Sequence, residues 1–235
     1  MIDRTEILYG GACCKKLRNA RVVLCGAGAV GSFAAEALAR LGVGYFEIFD
    51  FDCFEKSNVN RQLCALESTV GRRKVEVQKG RILDINPAAQ VVVHDTLIDA
   101  SVAAEIAAQS PSVVVDAIDD IAAKVALARS CAESDVPLVS SMGAARRKNP
   151  LEVKTADVFK TYGCPFAASI RKRLRAEGVR RGYMCVFSPE RVEESTHVSA
   201  SVAGRKKVIG SSVIVTGVFG LNLANLALEE IIKNV

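Results

Sequence analysis

Three glycines suggest the first chemistry. Gly26-x-Gly28-x-x-Gly31 stands between an apolar run, "RVVLC" (21–25), and a helical run, "SFAAEALARLG" (32–42). Glycines at this spacing let the backbone approach phosphate oxygens, and the helix that follows offers unpaired N–H groups and a positive dipole end. The next apolar run, "YFEIFD", ends in Asp50, where a carboxylate can accept hydrogen bonds from ribose hydroxyls. To this point a nicotinamide dinucleotide and ATP fit equally. Arg61, in "SNVNRQL" (57–63), and Lys74, thirteen residues later in "GRRKVE", separate them. Two fixed cations beyond the ribose suit a triphosphate. Asp119, closing the run "PSVVVDAIDD" (111–120), stands where a carboxylate can hold Mg²⁺ through one or two oxygens while phosphates supply the rest. Each feature has a plain alternative: a tight turn without ligand, cations on solvated helix faces, a helix cap. Their joint occurrence favours the nucleotide.

The elements that must position these residues alternate. After the first two strands come a basic amphipathic helix, "VGRRKVEVQKGRILDINP", ended by Asn86 and Pro87, and a third strand, "QVVVHD". A helix, "DASVAAEIAAQ", leads to the fourth strand, and "IAAKVALARSCAES" to a fifth, "VPLVSS". This rhythm predicts an α/β fold, Rossmann-like, with a mostly parallel sheet and helices on both faces. After about residue 150 it changes to two strands, "LEVKTAD" and "YMCVFSPE", around a basic helix, and a last helix from about 210 to 233. One domain over 1–235 is expected: a nucleotide-binding core over 1–150, and a C-terminal extension over 151–235 with strands and a final buried helix. Residues 208–228 carry no charge and are long enough to span a bilayer. Their serines, threonine and asparagines favour a core helix and no membrane.

Half of the 235 residues are hydrophobic, enough for a sizeable core, and the net charge is +5. The basic residues crowd into "ARRKNP" (145–150), "RKRLRAEGVRR" (171–181) and "GRKK" (204–207). The second run holds Arg171, Lys172, Arg173, Arg175, Arg180 and Arg181 against one acidic residue, and its expected role is a phosphate track for nucleic acid, the plain alternative being a solvated helix face. Eight cysteines form no C-x-x-C pair, and the charged N-terminus carries no export signal, so the expectation is a reduced, cytoplasmic protein without structural zinc.

These residues carry a resemblance. "GAGAVGSFAAEALARLGVGYFEIFDFD", "SNVNRQLCAL", "VGRRKVE", "INP" and "DAIDD" resemble the ATP-binding core of the ubiquitin-activating-like superfamily over roughly residues 4–142. "NRQLCAL", "SSMGAA", "IRKRLRAEG" and "VRRGYMCVFS" extend it to nearly the whole chain and resemble the tRNA threonylcarbamoyladenosine dehydratase branch. The resemblance implies a phosphate loop of Gly26, Gly28 and Gly31, a ribose site at Asp50 with Asp52 close by, and triphosphate contacts from Asn58 and Arg61. It further implies Lys74 on the phosphates, Asp119 on Mg²⁺, and Arg4 supplied to the ATP of a partner subunit in a homodimer. The implied substrates are MgATP and a tRNA bearing threonylcarbamoyladenosine. The substrate's carboxylate would form an acyl-adenylate that closes on a nucleophile within the same modified base.

The chain departs from relatives that activate sulfur carriers, which usually carry two C-x-x-C pairs. It also lacks the cysteine that some dehydratases place before the last helix, so a sulfur-relay partner is a minor expectation. Cys164 and Cys185 are expected to be structural, and His94 and His197 receive no role. Two rival functions stand beside the main one: an adenylyltransferase for the C-terminus of a sulfur-carrier protein, and a nucleotide-sensing module without catalysis.

Overall fold

Runs of β-branched and aromatic residues become a sheet whose inner strands are covered on both faces. The structure, a computed structural model, describes residues 4–192 and 209–233. Five parallel strands come first: β1 (Arg21–Cys25), β2 (Tyr45–Phe49), β3 (Gln90–His94), β4 (Val113–Asp116) and β5 (Leu138–Ser141). β6 (Lys154–Asp157) and β7 (Met184–Phe187) complete a seven-stranded sheet in the order β3-β2-β1-β4-β5-β7-β6. β7 runs parallel to β5, and only the edge strand β6 is antiparallel.

Period-two alternation divides the inner strands between two cores. Val22 and Leu24 of β1 join one cluster, with α2 (Gly11–Asn19), α3 (Gly31–Arg40), α4 (Lys74–Ile85) and α8 (Val213–Ile232). Val23 and Cys25 join the other, with α5 (Ala100–Ala108), α6 (Ile121–Glu133) and α7 (Pro165–Ala176). The expected helices therefore lie on both faces.

α8 is long and apolar enough to cross a membrane by length and composition, but 61% of that window is buried within the fold. It lies on α3, and glycine makes this possible. A Cβ at Gly220 would stand 2.5 Å from the Val30 carbonyl oxygen and 2.6 Å from Phe33 Cβ.

Three expectations change. The fourth strand ends at Asp116, because the chain turns there toward the N-terminus of α6; Asp119 lies in the loop beyond. The basic run is not one helix. α7 stops at Ala176, and Gly178 turns the chain with φ +77°, so Arg180 and Arg181 lie past it. Two N-terminal helices, α1 (Arg4–Tyr9) and α2, were not anticipated. His197, Arg205, Lys206 and Lys207 lie outside the described residues.

Candidate active site

A cavity of about 720 Å³ opens at the C-terminal ends of the parallel strands. The strand order reverses between β1 and β4, and open α/β sheets bind ligands at that switch point. Residues following β3, β2, β1, β4 and β5 line the cavity in turn, and Ile209, Ser211 and Thr216 close it from the C-terminal segment.

The glycine loop is built for close approach. Gly26 holds φ +94°, and a Cβ there would meet the Ala117 carbonyl oxygen at 2.9 Å. A Cβ at Gly31 would stand 1.8 Å from the Gly26 carbonyl oxygen, so only glycine lets α3 start so close to β1. No side chain caps the first turn of α3. Gly28, Ala29 and Val30 line the cavity beside that end, so its N–H dipoles favour negative charge there.

Asp50 ties β2 to this loop. Its carboxylate accepts from the Ala27 amide at 2.8 Å and from the Asp52 amide at 2.9 Å. Burial pushes the carboxyl above its usual range, while the Lys74 charge and the two amides pull it down. Lys74, at the first position of α4, is only 6% exposed, and its Nζ donates to Asp52 Oδ2 at 2.7 Å. That burial excludes a solvated helix face. Arg61 is braced at the rim, donating to the Ser57 carbonyl and to Asn60 Oδ1, both at 2.8 Å. Asp119 lines the cavity and is exposed. The capping alternative belongs to its neighbour: Asp120 Oδ1 accepts from the Ala123 amide at 2.9 Å.

The ThiF family model matches residues 3–234. The chain belongs to the ThiF family. Among relatives, it is 37% identical to the tRNA threonylcarbamoyladenosine dehydratase of Bacillus subtilis, covering 99% of this chain and 95% of that one. A crystal structure of the Escherichia coli tRNA N6-threonylcarbamoyladenosine dehydratase with AMP superposes with a TM-score of 0.88 at 35% identity, covering 97% of this chain and 92% of that one. The same enzyme with ATP gives 0.87, covering 97% and 91%. The molybdopterin-synthase adenylyltransferase of Escherichia coli is 39% identical, but over only 56% of this chain and 51% of its own.

Of the residues singled out from sequence, this ThiF-family chain brings Gly26, Gly28, Asp50, Asp52, Arg61, Lys74 and Asp119 to one cavity. Gly31 stands behind it. Asn58 is absent from the lining: its Oδ1 accepts from the Glu55 amide at 3.1 Å, and it sits 8% exposed within a short 3₁₀ turn. Asn58 therefore shapes the loop that presents Ser57 and Arg61. Arg4 lies on α1, outside the cavity of its own chain.

The basic side chains divide. Arg171 donates to Thr161 Oγ1, the Arg175 guanidinium lies 5.4 Å from the centre of the Phe159 ring, and Arg181 pairs with Asp135. Lys172, Arg173 and Arg180 are exposed, as are Arg175 and Arg181 despite these contacts. In the other described cluster, Arg147 is buried and donates to the Glu190 carbonyl, and the Lys148 amide donates to the Glu190 carboxylate at 3.0 Å.

Sequence reasoning missed Gln62, which is 8% exposed on the cavity wall, and the segments after β3 and β5. The rule that ligands gather at strand C-termini would have pointed to those segments. Nothing in the sequence separated Gln62 from its neighbours. Cys185 is fully buried and its thiol is pushed up to about 12, chiefly by desolvation. Cys164 is 3% exposed at the start of α7. Neither has the exposed, electropositive setting a reactive thiol needs.

Proposed function

We propose that this chain is an ATP-dependent tRNA-modifying enzyme that dehydrates N6-threonylcarbamoyladenosine in an anticodon loop. The carrying observation is how much of the chain each likeness covers. The dehydratase of Bacillus subtilis aligns along essentially the whole chain, whereas the adenylyltransferase for molybdopterin synthase aligns along about half. We take the C-terminal part with α7, β6 and β7 as an extension of the nucleotide-binding core within one domain, serving the tRNA.

The substrate carboxylate attacks the α-phosphorus, and the bond to pyrophosphate breaks. A nucleophile within the same modified base then attacks the acyl carbon and releases AMP, so the nucleoside loses one water, whose oxygen leaves in AMP. An intramolecular nucleophile acts at high effective concentration, so no catalytic cysteine is required. The protein's task is placement and charge stabilisation at phosphorus. The glycine loop and the start of α3 receive phosphate, Asp50 accepts from ribose, and Arg61 and Lys74 neutralise the departing pyrophosphate.

The donors fit Mg²⁺. The Asp119 carboxylate faces the cavity, and among the described residues no three His, Cys, Asp or Glu side chains form a cage for a protein-only metal. Magnesium commonly takes one or two carboxylates and completes its shell with phosphates and water. When bound, it would neutralise charge on the triphosphate, with Asp119 as its protein ligand.

We place the protein in the cytoplasm as a homodimer. α1 carries Ile7 and Leu8 at 70% and 74% exposure, an apolar surface suited to a second copy, and Arg4 would act from there. Cys53 is the half-exposed cysteine among seven buried ones, which leaves a sulfur-relay partner little to address.

The test is AMP and pyrophosphate release with threonylcarbamoyl-modified tRNA, with unmodified tRNA, with a sulfur-carrier protein and with none. Release confined to modified tRNA, with loss of 18 mass units from the nucleoside, is expected. Release driven by the carrier protein overturns the assignment, and ATP binding without turnover in any arm favours a sensing module.

A further inference from the structure

The cavity is chemically lopsided. Its charged lining residues, Asp50, Asp52, Arg61, Lys74 and Asp119, come from the segments after β2 and β4 and from α4, and none comes from the segment after β5. The β5 side presents no charge: Ser141, whose hydroxyl already donates to the Met142 carbonyl at 3.0 Å, is followed by Gly143, Ala144, Ala145 and the ring of Phe166. Neighbouring strands lie about 4.8 Å apart, so the five strand ends from β3 to β5 span about 19 Å. A nucleotide whose ribose meets Asp50 and whose phosphates meet the start of α3 leaves the β5 side open.

The reaction geometry fills that side. The attacking and leaving oxygens of phosphoryl transfer lie roughly in line. With pyrophosphate drawn toward Arg61 and Lys74, the attacking carboxylate enters from β5, and its purine must rest there. Phe166 is half-buried in the first turn of α7 with Pro165 fixing the helix start. A Cβ at Gly143 would stand 3.3 Å from Phe166 Cβ and 3.5 Å from Cγ, so the ring rests on bare backbone.

α7 continues the argument outside the cavity. At 3.6 residues per turn, a residue seven positions on returns to the same helix face about 10 Å away. That residue is Arg173, which is exposed; Arg171 is half-buried against Thr161, and Arg175, though exposed, lies over the Phe159 ring. One helix face therefore carries an aromatic ring at the cavity wall and a cation on the surface.

We propose that Phe166 is the stacking platform for the modified adenine and that Arg173 holds a phosphate of the flanking RNA strand. The proposal rests on the dehydratase reading above. Stacking against an aromatic ring is sequence-tolerant and needs only a π-face, which suits a cavity wall without charged side chains.

The experiment compares the parent with Phe166→Ala, Phe166→Leu, Phe166→Tyr and Arg173→Ala, using modified tRNA and measuring KM for tRNA, kcat and ATP affinity. Phe166→Ala should raise KM for tRNA on the order of tenfold, the range of one base–ring stack, with ATP affinity unchanged. Phe166→Tyr should restore it and Phe166→Leu, which keeps the volume, should not. Arg173→Ala should flatten the log–log salt dependence of tRNA binding by about 0.7, one phosphate on a single strand. Rescue by leucine as complete as by tyrosine would overturn the stacking role, as would a loss of ATP affinity in both Phe166→Ala and Phe166→Leu. An unchanged salt slope removes Arg173. If the parent itself releases no AMP with modified tRNA, the dehydratase reading fails first; if the parent turns over and Phe166→Ala matches it, only the platform fails.

Discussion

Lys74 is an ammonium group in a nearly closed position, and Asp52 makes that tolerable. A buried charge without a partner is costly, and the 2.7 Å bond to a half-exposed carboxylate offsets the burial. A phosphate arriving in the cavity meets a cation already fixed in place. Lys74→Ala should lose activity on the order of 10²–10³-fold, the loss typical of one preorganised charge-stabilising group; AMP release under single-turnover conditions measures it. The adjacent aspartates should separate cleanly. Asp120→Ala removes a helix cap and should cost about 1 kcal/mol in urea unfolding, with the Mg²⁺ dependence kept. Asp119→Asn should leave stability alone and raise the Mg²⁺ concentration needed for half-maximal rate. That Asp50, Lys74 and Asp119 share one cavity was legible from type and position after a strand or at a helix start. Asn58 was not, because an asparagine that caps a turn and one that reaches a phosphate look the same in sequence.

At the scale of elements, the loops after β4 and β5 are joined by a buried network. Lys124 of α6, 1% exposed, donates to Asp116 Oδ2 at 2.9 Å and to Ser140 Oγ at 3.1 Å, and Ser140 donates to the same carboxylate oxygen at 2.6 Å. The other oxygen, Asp116 Oδ1, accepts from the Ile118 amide at 3.1 Å, in the loop that carries Asp119. Lys124→Met leaves a buried carboxylate uncompensated and should cost roughly 3–5 kcal/mol. Replacing Asp116 and Ser140 by apolar residues as well should recover much of that in denaturant titration. In α7, Arg171→Gln with Arg175→Gln should lower the melting temperature yet leave the salt slope of tRNA binding unchanged, since both side chains serve contacts within the chain. The strands and most helices were readable because apolar periodicity is local. The Lys124 network was not, because Asp116, Lys124 and Ser140 meet only through strand order, and a lysine inside an alanine-rich helical run reads as a surface residue.

For the whole molecule, the glycine motif, the acidic strand ends and the alternating rhythm were enough to give the parallel sheet and the side of it that carries the site. They could not give α1, whose six residues expose Ile7 and Leu8 and bury none; a helix that packs so little on its own chain leaves no amphipathic signature. If that surface meets a second copy, Arg4 works across the two-fold axis. Arg4→Ala and Lys74→Ala should each be weak alone. Mixed, with subunit exchange verified by mass, they should recover activity, because the heterodimer has one site with both residues intact; an arginine supplied from a neighbouring subunit can contribute roughly 10³ or more in rate. No recovery on mixing would confine Arg4 to its own subunit. The distribution of sulfur has a practical consequence. Seven of the eight cysteines are buried, and burial pushes Cys64 up to about 11 and Cys131 up to about 12. Cys53, one residue past Asp52 and paired through its backbone with Arg73, is the half-buried one. A maleimide fluorophore therefore has a single preferred address, next in sequence to the cavity-lining Asp52. The unmutated protein arrives with a built-in labelling point from which the docking of ATP can be followed by light.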